Sequence, residues 1–310
     1  MTTVETFAHE AFFYRTDDEY ARALVPYLRQ GIELGEAVAV ATATRRIALL
    51  RDALGADARA VTFLPDKEWY IRPARTIAGW ARMVSASMAG GRRRSRLIGE
   101  VRFGSADGHR SWVRAESAIN RVLAGLPARL VCPYDVGRLP RQLIDDGRRT
   151  HPLILNGGCR DNPGYLPPER VLADIAEPPF PVAGTPAIEV PIGDTVSPLR
   201  DLVRERGTAG GWLSADGLDD LVLALSEVVT NGLRHGDGRR LLRVWASTDA
   251  VVCEVTDDGA DPPGVLAGYL PPTPGAAGGM GLWLVHQICD SLSIDTSDGH
   301  TRVRFAIRAR

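Results

Sequence analysis

The stretch ALSEVVTNGLRHGDG, residues 224–238, decides the architecture of the C-terminal part of the chain. It continues an apolar pattern with three- and four-residue spacing, formed by Leu218, Leu221, Val222, Leu225, Val229 and Leu233. This pattern predicts a long helix over residues 218–234 with one buried stripe. Glu227, Asn231 and His235 follow one another at four-residue intervals and therefore share a different face of the helix.

A glutamate and an asparagine at this spacing can act together. The carboxylate of Glu227 can accept a proton from a hydroxyl group or water, and the amide oxygen of Asn231 can complete the coordination shell of a Mg²⁺ ion that holds phosphates. Taken alone, a solvated polar face that ends in His-Gly is the commoner explanation of the same residues.

A second motif, VTDDGADPP at residues 255–263, follows an apolar strand directly. A carboxylate at a strand end, such as Asp257, can accept a hydrogen bond from the exocyclic amine of a base, and Gly259 allows a flat ring to approach closely. By itself, Asp-Asp-Gly is also ordinary turn chemistry.

A third motif, GGMGLWLVHQICD at residues 278–290, places Gly279 and Gly281 at the start of a predicted helix. Backbone N–H groups at a helix start attract anions, and the helix dipole adds to that attraction. A single Gly-x-Gly is weak evidence on its own.

In this order and spacing the three motifs resemble the ATPase domain of the GHKL superfamily, over residues 187–310. The resemblance implies an α+β sandwich that binds ATP and Mg²⁺. It makes Glu227 the general base, Asn231 the Mg²⁺ ligand and His235 a phosphate neighbour. The residues implied for the adenine pocket and the ATP lid are Asp257, Gly259, Gly279, Gly281, Leu282 and Thr301.

The form Ser-Glu-x-x-Thr-Asn-x-x-x-His-Gly is similar to the anti-sigma branch of that superfamily. This implies a cytoplasmic anti-sigma factor and serine kinase that binds a sigma factor, phosphorylates a STAS-type anti-anti-sigma protein and forms a homodimer. Met280 departs from the branch, because many relatives carry a basic residue there. Two alternatives stay open: a non-catalytic, ATP-gated protein-binding switch, and an atypical histidine-kinase-like sensor. The only His-Glu pair, His9-Glu10, lies too near the N-terminus for a two-helix phosphoacceptor element.

The N-terminal half alternates between helical and strand patterns. Helices are predicted over 19–34, 45–54, 76–88 and 112–123, and strands over 37–41, 60–64, 95–101 and 129–134. This alternation predicts an α/β domain with a largely parallel sheet. Nine prolines between residues 161 and 198 then predict an extended connection. We therefore expect one domain over 1–178, with a proline-rich linker from about residue 161, and a second over 179–310.

The second domain has a different order of predicted elements. Helices are expected over 198–206, 218–234 and 281–289, and strands over 187–192, 241–246, 251–256, 292–296 and 301–307. Strands that follow one another in groups, with helices between the groups, favour an α+β sandwich over a parallel sheet.

Several segments of the first domain, at 9–14, 31–36, 98–100, 116–120, 132–135 and 150–152, resemble the MEDS sensory domain. The resemblance implies a RecA-like sheet. The only lysine, Lys67, has no glycine near it, so this half lacks a P-loop and is not expected to hydrolyse nucleotide. Candidates for lining a small-molecule cleft are Tyr14, Glu36, Glu100, Glu116, Cys132, Tyr134 and Asp135, although each is individually explained as an ordinary structural residue.

Composition narrows the remaining function classes. A formal net charge of −1 argues against broad binding to nucleic acid or to a membrane surface. The chain shows no apolar run of bilayer length and no secretion signal, which favours a cytoplasmic protein. The four cysteines are scattered without Cys-x-x-Cys or Cys/His spacing, so a structural zinc site is not expected.

Overall fold

The computed structural model describes residues 7–104, 106–259, 263–272, 279–297 and 299–309. The chain divides into two compact units, Met1–Ala176 and Glu177–Arg310. None of the helices in the described ranges has an apolar stretch long enough to cross a bilayer.

The first unit is a seven-stranded sheet with helices between its strands. Its strands are β1 (Ala8–Tyr14), β2 (Ala37–Thr42), β3 (Val61–Pro65), β4 (Ser95–Gly99), β5 (Ala128–Asp135), β6 (Leu153–Leu155) and β7 (Cys159–Asp161). Its helices are α1 (Asp17–Glu33), α2 (Thr44–Leu54), α3 (Asp66–Trp69), α4 (Pro73–Ala89), α5 (Ala106–Val122), α6 (Arg141–Thr150) and α7 (Pro168–Asp174), with a 3₁₀ turn at Gly55–Ala60. The strand order is β3-β2-β4-β5-β1-β6-β7, and every neighbouring pair is parallel except β6 with β7. The predicted α/β class is confirmed.

Helix α1 and strand β2 show why the residues of this half form an α/β fold. Thr16 caps α1 by accepting a hydrogen bond from the backbone N–H of Glu19 at 3.1 Å. The apolar face of α1 is buried through Leu24 and Leu28. Strand β2 is almost continuously apolar and buried, as expected where helices cover both faces of a parallel sheet.

Strand β1 was not predicted, because polar residues interrupt its apolar pattern. His9 and Glu10 are completely buried in the strand. Glu10 is paired there, since the guanidinium of Arg129 donates to its carboxylate at 2.9 and 2.6 Å. A buried charge is tolerated only with such a partner, and that partner lies 119 residues away along the chain.

The segment from Asp161 to Ala176, predicted as the beginning of an extended connection, folds against the first unit instead. Helix α7 packs on α5 and α6, with Val171 and Leu172 buried. The Arg114 guanidinium donates to the Leu172 carbonyl at 2.9 Å, and Arg121 forms an ion pair with Glu169. A helix of seven residues is compatible with the local prolines because Pro168 occupies its first turn.

The second unit is a five-stranded antiparallel sheet with three helices in its described residues. Its strands are β8 (Ile188–Pro191), β9 (Arg240–Ala246), β10 (Ala250–Asp257), β11 (Ser291–Ser297) and β12 (His300–Arg308). Its helices are α8 (Ser197–Ala209), α9 (Ala215–His235) and α10 (Met280–Ile288). The strand order is β11-β12-β10-β9-β8.

Strand β10 separates an apolar face of this sheet from a polar one. Val251, Cys253 and Val255 lie in the core with apolar residues of all three helices. Glu254 points to the opposite face, where the Arg304 guanidinium donates to its carboxylate at 2.9 and 2.5 Å. One helical layer on one sheet is the α+β sandwich predicted from the sequence, and that prediction is confirmed. A RecA-like relationship of the first unit stays a prediction.

Candidate functional site

Helix α9 carries the first group of predicted site residues. Ser214 caps its N-terminus by accepting from the backbone N–H of Gly217 at 3.3 Å. The predicted apolar stripe is buried through Leu221, Leu225 and Val229, which fixes the rotation of the helix about its axis. Glu227 and Asn231 are consequently half-buried on another face, whereas His235 is exposed in the last turn.

Gly281 brings the third motif against the first. It is the second residue of α10, which packs on α9. A Cβ atom at this position would lie 2.7 Å from Oε2 of Glu227 and 3.3 Å from Nδ2 of Asn231. Only glycine therefore allows α10 to begin at this distance from the two polar side chains. Three residues from two separate motifs meet at one point.

Gly279 and Leu282 flank this contact. Gly279 precedes α10 with a left-handed backbone, at a φ angle of 82°, which turns the chain into the helix. The carbonyl of Leu282 lies against Gly268, and His286 contacts the ring of Tyr269 with centroids 4.6 Å apart. The described residues 263–272 of the predicted lid are thus anchored to α10, while its residues 260–262 and 273–278 lie outside the described ranges.

Asp257 ends strand β10 as a nearly buried carboxylate, 7% exposed. It accepts a hydrogen bond from the backbone N–H of Gly259 at 2.8 Å. Burial raises the pKa of Asp257 above its ordinary value, although the hydrogen bond from Gly259 acts in the opposite direction. Thr301 pairs with Asp257 across the sheet and donates its hydroxyl to the Gly259 carbonyl at 2.8 Å. The three residues predicted for the adenine end lie together.

The strand end also contacts helix α9. A Cβ atom at Gly236 would lie 2.7 Å from the carboxyl carbon of Asp257, and one at Gly232 would lie 4.0 Å from its Oδ2. Because Gly232 follows Asn231 directly, the Asp257 carboxylate sits beside the turn of α9 that carries the other predicted ligand. All three motifs therefore converge on the C-terminal half of α9.

Arg240 supports this convergence and was not singled out from the sequence. Its guanidinium donates to the carbonyl oxygens of Gly232 at 2.8 Å and of Gly236 at 2.6 Å, which satisfies acceptors at the C-terminal end of α9. It also pairs with Asp257 across β9 and β10. The signal available in the sequence was a basic residue shortly after a helix end, where a cation interacts favourably with the helix dipole.

Asp258 differs from its neighbour Asp257. It is exposed and accepts a hydrogen bond from the backbone N–H of Arg239 at 2.8 Å. Nδ1 of His300 lies 3.1 Å from its carboxylate. Of the two adjacent acids, Asp257 alone lies against helix α9, and it is the one predicted for the adenine pocket.

In the first unit, the predicted cleft residues separate into three places. Tyr14, Glu100 and Asp135 surround the buried guanidinium of Arg46. The hydroxyl of Tyr14 donates to Glu100 at 2.5 Å, and Arg46 donates to that hydroxyl at 3.1 Å and lies 3.8 Å from Asp135. Burial and the Glu100 carboxylate both raise the pKa of Tyr14, which keeps it a proton donor.

Glu36 lies elsewhere, immediately before β2, and pairs with the buried guanidinium of Arg96 at 2.5 Å. Arg96 also stacks on the ring of Tyr27. The structure therefore gives Glu36 a structural partner and does not place it with Tyr14 and Glu100. Cys132 and Tyr134 occupy a third place, buried beside Glu116.

An open groove of about 1010 Å³ lies between α1 and α6. Among the described residues, its walls combine apolar side chains, such as Phe13 and Ile144, with arginines 15, 22, 141 and 148. None of the cleft residues predicted from the sequence lies on these walls.

Comparison with known families agrees with this division. Residues 8–152 match the family described as MEDS, the MEthanogen/methylotroph, DcmR Sensory domain. Residues 193–307 match the histidine kinase-like ATPase domain. No curated protein matches the sequence closely enough to count as a relative. The chain thus joins a MEDS sensory domain at its N-terminus to a histidine kinase-like ATPase domain at its C-terminus, and the second domain implies binding of ATP.

Proposed function

We propose that this chain is a cytoplasmic anti-sigma factor and serine/threonine protein kinase. It binds ATP with Mg²⁺, sequesters a sigma factor and phosphorylates a STAS-type anti-anti-sigma partner, and the MEDS domain regulates it. The observation that carries the proposal is the contact of Gly281 with Glu227 and Asn231 on helix α9, against which the Asp257 carboxylate of β10 also lies.

The residues present fit the nucleotide. Asp257 accepts the exocyclic amine of adenine, and Gly259, held by Thr301, lets the base approach. The side chain of Asn231 supplies an amide oxygen, the ligand type that Mg²⁺ prefers, and the Glu227 carboxylate beside it stays available as the base. Bound Mg²⁺ supplies charge neutralisation on the phosphates.

The chemical step assigned to this chain is proton removal. The serine oxygen of the partner forms a bond to the γ-phosphorus while the bond to the bridging oxygen of ADP breaks, and the serine proton passes to the Glu227 carboxylate. Half-burial between α9 and α10 holds that carboxylate in place, which is a requirement for general-base catalysis.

A second candidate function, a non-catalytic ATP-gated switch, is favoured by Met280. This side chain is 53% exposed at the start of α10, where many relatives carry a basic residue that would contact phosphate. In that case the domain binds ATP and changes its affinity for the partner without transferring phosphate. A histidine-kinase-like role has less support, because His9 of the only His-Glu pair is completely buried.

The test is a phosphotransfer assay with labelled ATP, the full chain and a STAS-domain protein. Glu227→Gln should abolish transfer and leave ATP binding intact, because the amide keeps the shape of the side chain but cannot take a proton. Glu205→Gln, at an exposed position on α8 of the same unit, is the matched control. Unchanged transfer by the Glu227 variant would rule out its role as the base.

The rival candidate predicts a different pattern of results. ATP binding without transfer by the wild-type chain, together with an ATP-dependent change in partner affinity, supports the switch. Sigma-factor binding and homodimer formation, which belong to the kinase proposal, are measured on the same preparation by co-purification and light scattering.

A further inference from the structure

Four side chains with metal-binding atoms meet inside the first unit, whereas the ATP site belongs to the second. They are His9 on β1, Glu116 on α5, Cys132 on β5 and His151 directly after α6. His9 and His151 are 0% exposed, Cys132 is 1% exposed and Glu116 is 6% exposed. The register of β1 and β5 pairs Ala11 with Cys132, so His9, two residues earlier, shares the same face of the sheet.

The distances within this cluster suit a single ion. One ligand atom from each residue can be chosen so that all four lie within 4.8 Å of one another. Nε2 of His9 lies 3.3 Å from the Cys132 sulfur and 3.9 Å from Oε2 of Glu116, which in turn lies 3.1 Å from Nε2 of His151. Tetrahedral zinc, with bonds of about 2.0–2.3 Å, separates its ligand atoms by about 3.3–3.8 Å.

Hydrogen bonds fix which nitrogen of His9 faces the cluster. Asn120 donates its amide NH₂ group to the carbonyls of Thr150 at 2.8 Å and Ser117 at 3.0 Å, so its oxygen must face His9. That oxygen lies 3.1 Å from Nδ1 of His9, and it can only accept. His9 therefore carries its proton on Nδ1 and presents the lone pair of Nε2 to the cluster.

His151 is oriented in the same way. Its Nδ1 lies 2.8 Å from the backbone carbonyl of Gly147, which can only accept a hydrogen bond, so Nδ1 carries the proton and donates. Its Nε2 has no hydrogen-bond partner among the described residues, although it lies 3.1 Å from the Glu116 carboxylate. Two buried imidazoles with outer hydrogen bonds that direct their lone pairs inward are the usual arrangement around a bound metal.

The charges of the four side chains also favour a divalent metal ion. A thiolate at Cys132 and a carboxylate at Glu116 together offset the two positive charges of a divalent ion, so the loaded cluster would be neutral inside the protein. Two imidazole nitrogens, one thiolate and one carboxylate form a donor set typical of zinc, and four buried ligands leave no position open to solvent.

We propose that His9, Glu116, Cys132 and His151 bind one zinc ion in a closed, four-coordinate site. Binding releases the thiol proton of Cys132 to solvent and ties together two strands, helix α5 and the residue that follows α6. The site organises the sensory domain and carries no catalysis. It stands apart from the proposed kinase activity, because it uses no residue of the ATP site.

The test uses the full chain, stripped with a chelator and reloaded with Zn²⁺ or Co²⁺. We expect about one metal ion per chain, a melting temperature that falls on stripping and recovers on reloading, and a thiolate-to-cobalt charge-transfer band in the Co²⁺ form. Cys132→Ser should remove that band, whereas Cys253→Ser, at an equally buried cysteine of the other unit, should retain it.

A variant that removes the hydrogen bond between Asn120 and Nδ1 of His9 gives a second test. Asn120→Ala should weaken metal affinity by about 10- to 100-fold through loss of the orientation of His9. If Cys132→Ser does not fold, the cobalt spectrum of the wild-type chain alone tests whether a thiolate binds the metal. A stripped, folded wild-type chain that takes up no metal, or a Co²⁺ form without thiolate charge transfer, overturns the proposal, and iron at the same ligands overturns the choice of zinc.

Discussion

Replacing Gly281 with alanine probes the contact at which the motifs of the ATP site meet. The new methyl group would lie 2.7 Å from Oε2 of Glu227, whereas unstrained contacts require about 3.5 Å. The carboxylate must therefore retreat by about 0.8 Å, or α10 must move away from α9. Either change displaces the proposed base from its position between the two helices.

The expected loss follows from the size of that displacement. A misplacement of about 1 Å in a catalytic group costs on the order of 100-fold in rate, so Gly281→Ala should lower phosphotransfer by about 10- to 100-fold. This corresponds to about 1.4–2.7 kcal/mol in the activation free energy. The melting temperature should change only slightly, because the helix propensity that alanine adds over glycine, up to about 1 kcal/mol, offsets part of the cost of about 1–3 kcal/mol of inserting a methyl group into a packed contact.

The assay therefore has two readouts, the phosphotransfer rate and the melting temperature of the same preparation. Gly193→Ala is the matched control, because a methyl group there meets no atom within 4 Å. An unchanged transfer rate in Gly281→Ala would contradict this prediction, since the position of the base could not then depend on this contact. A fall in rate accompanied by unfolding would point to a general packing defect instead.

Three further results are expected. Asp257→Asn should weaken ATP binding, measured by calorimetry, and should raise the melting temperature of the ligand-free protein at neutral pH. Because the fold raises the pKa of Asp257, its ionisation destabilises the native state as pH rises from the unfolded to the folded pKa, so the gain should disappear below about pH 4. Arg240→Ala removes the side-chain donor from the Gly236 carbonyl and one of two donors from the Gly232 carbonyl, which keeps the backbone N–H of Gly236, and should lower the free energy of unfolding in urea by about 1–2 kcal/mol, whereas the exposed neighbour Arg239→Ala should change it little. Glu36→Ala leaves the buried guanidinium of Arg96 without its carboxylate and should cost about 3 kcal/mol in the same urea titration; a cost below about 1 kcal/mol would show that the pair behaves like a surface ion pair.

The second unit was the more predictable half. Its apolar residues recur with clear helical or strand spacing, and each predicted element corresponds to an observed one with small shifts at the ends; the helix predicted over 218–234 is observed as Ala215–His235. The observed ends of these elements differ from the predicted ones by a few residues, because capping and fraying depend on a few local hydrogen bonds, such as that of Ser214 with Gly217. The motifs could be recognised because each occupies a single short stretch of chain.

The first unit was less predictable because it buries polar groups. Strand β1 contains His9 and Glu10, whose burial depends on partners more than 100 residues away along the chain. Helix α7 lies among prolines that suggest an extended chain, yet it folds because α5 and α6 offer it a surface. In both places tertiary contacts override the local pattern.

The amino-acid sequence alone was enough to predict the class of each half and the three motifs proposed for the ATP site, because periodicity and contiguous motifs are local properties. Only the tertiary structure decided that Gly281 touches Glu227 and that Asp257 lies against α9. It alone also assembled His9, Glu116, Cys132 and His151, which show no metal-binding spacing along the chain. The physical reason is that a parallel sheet brings distant segments side by side, so their donor atoms meet at a point that no stretch of sequence contains.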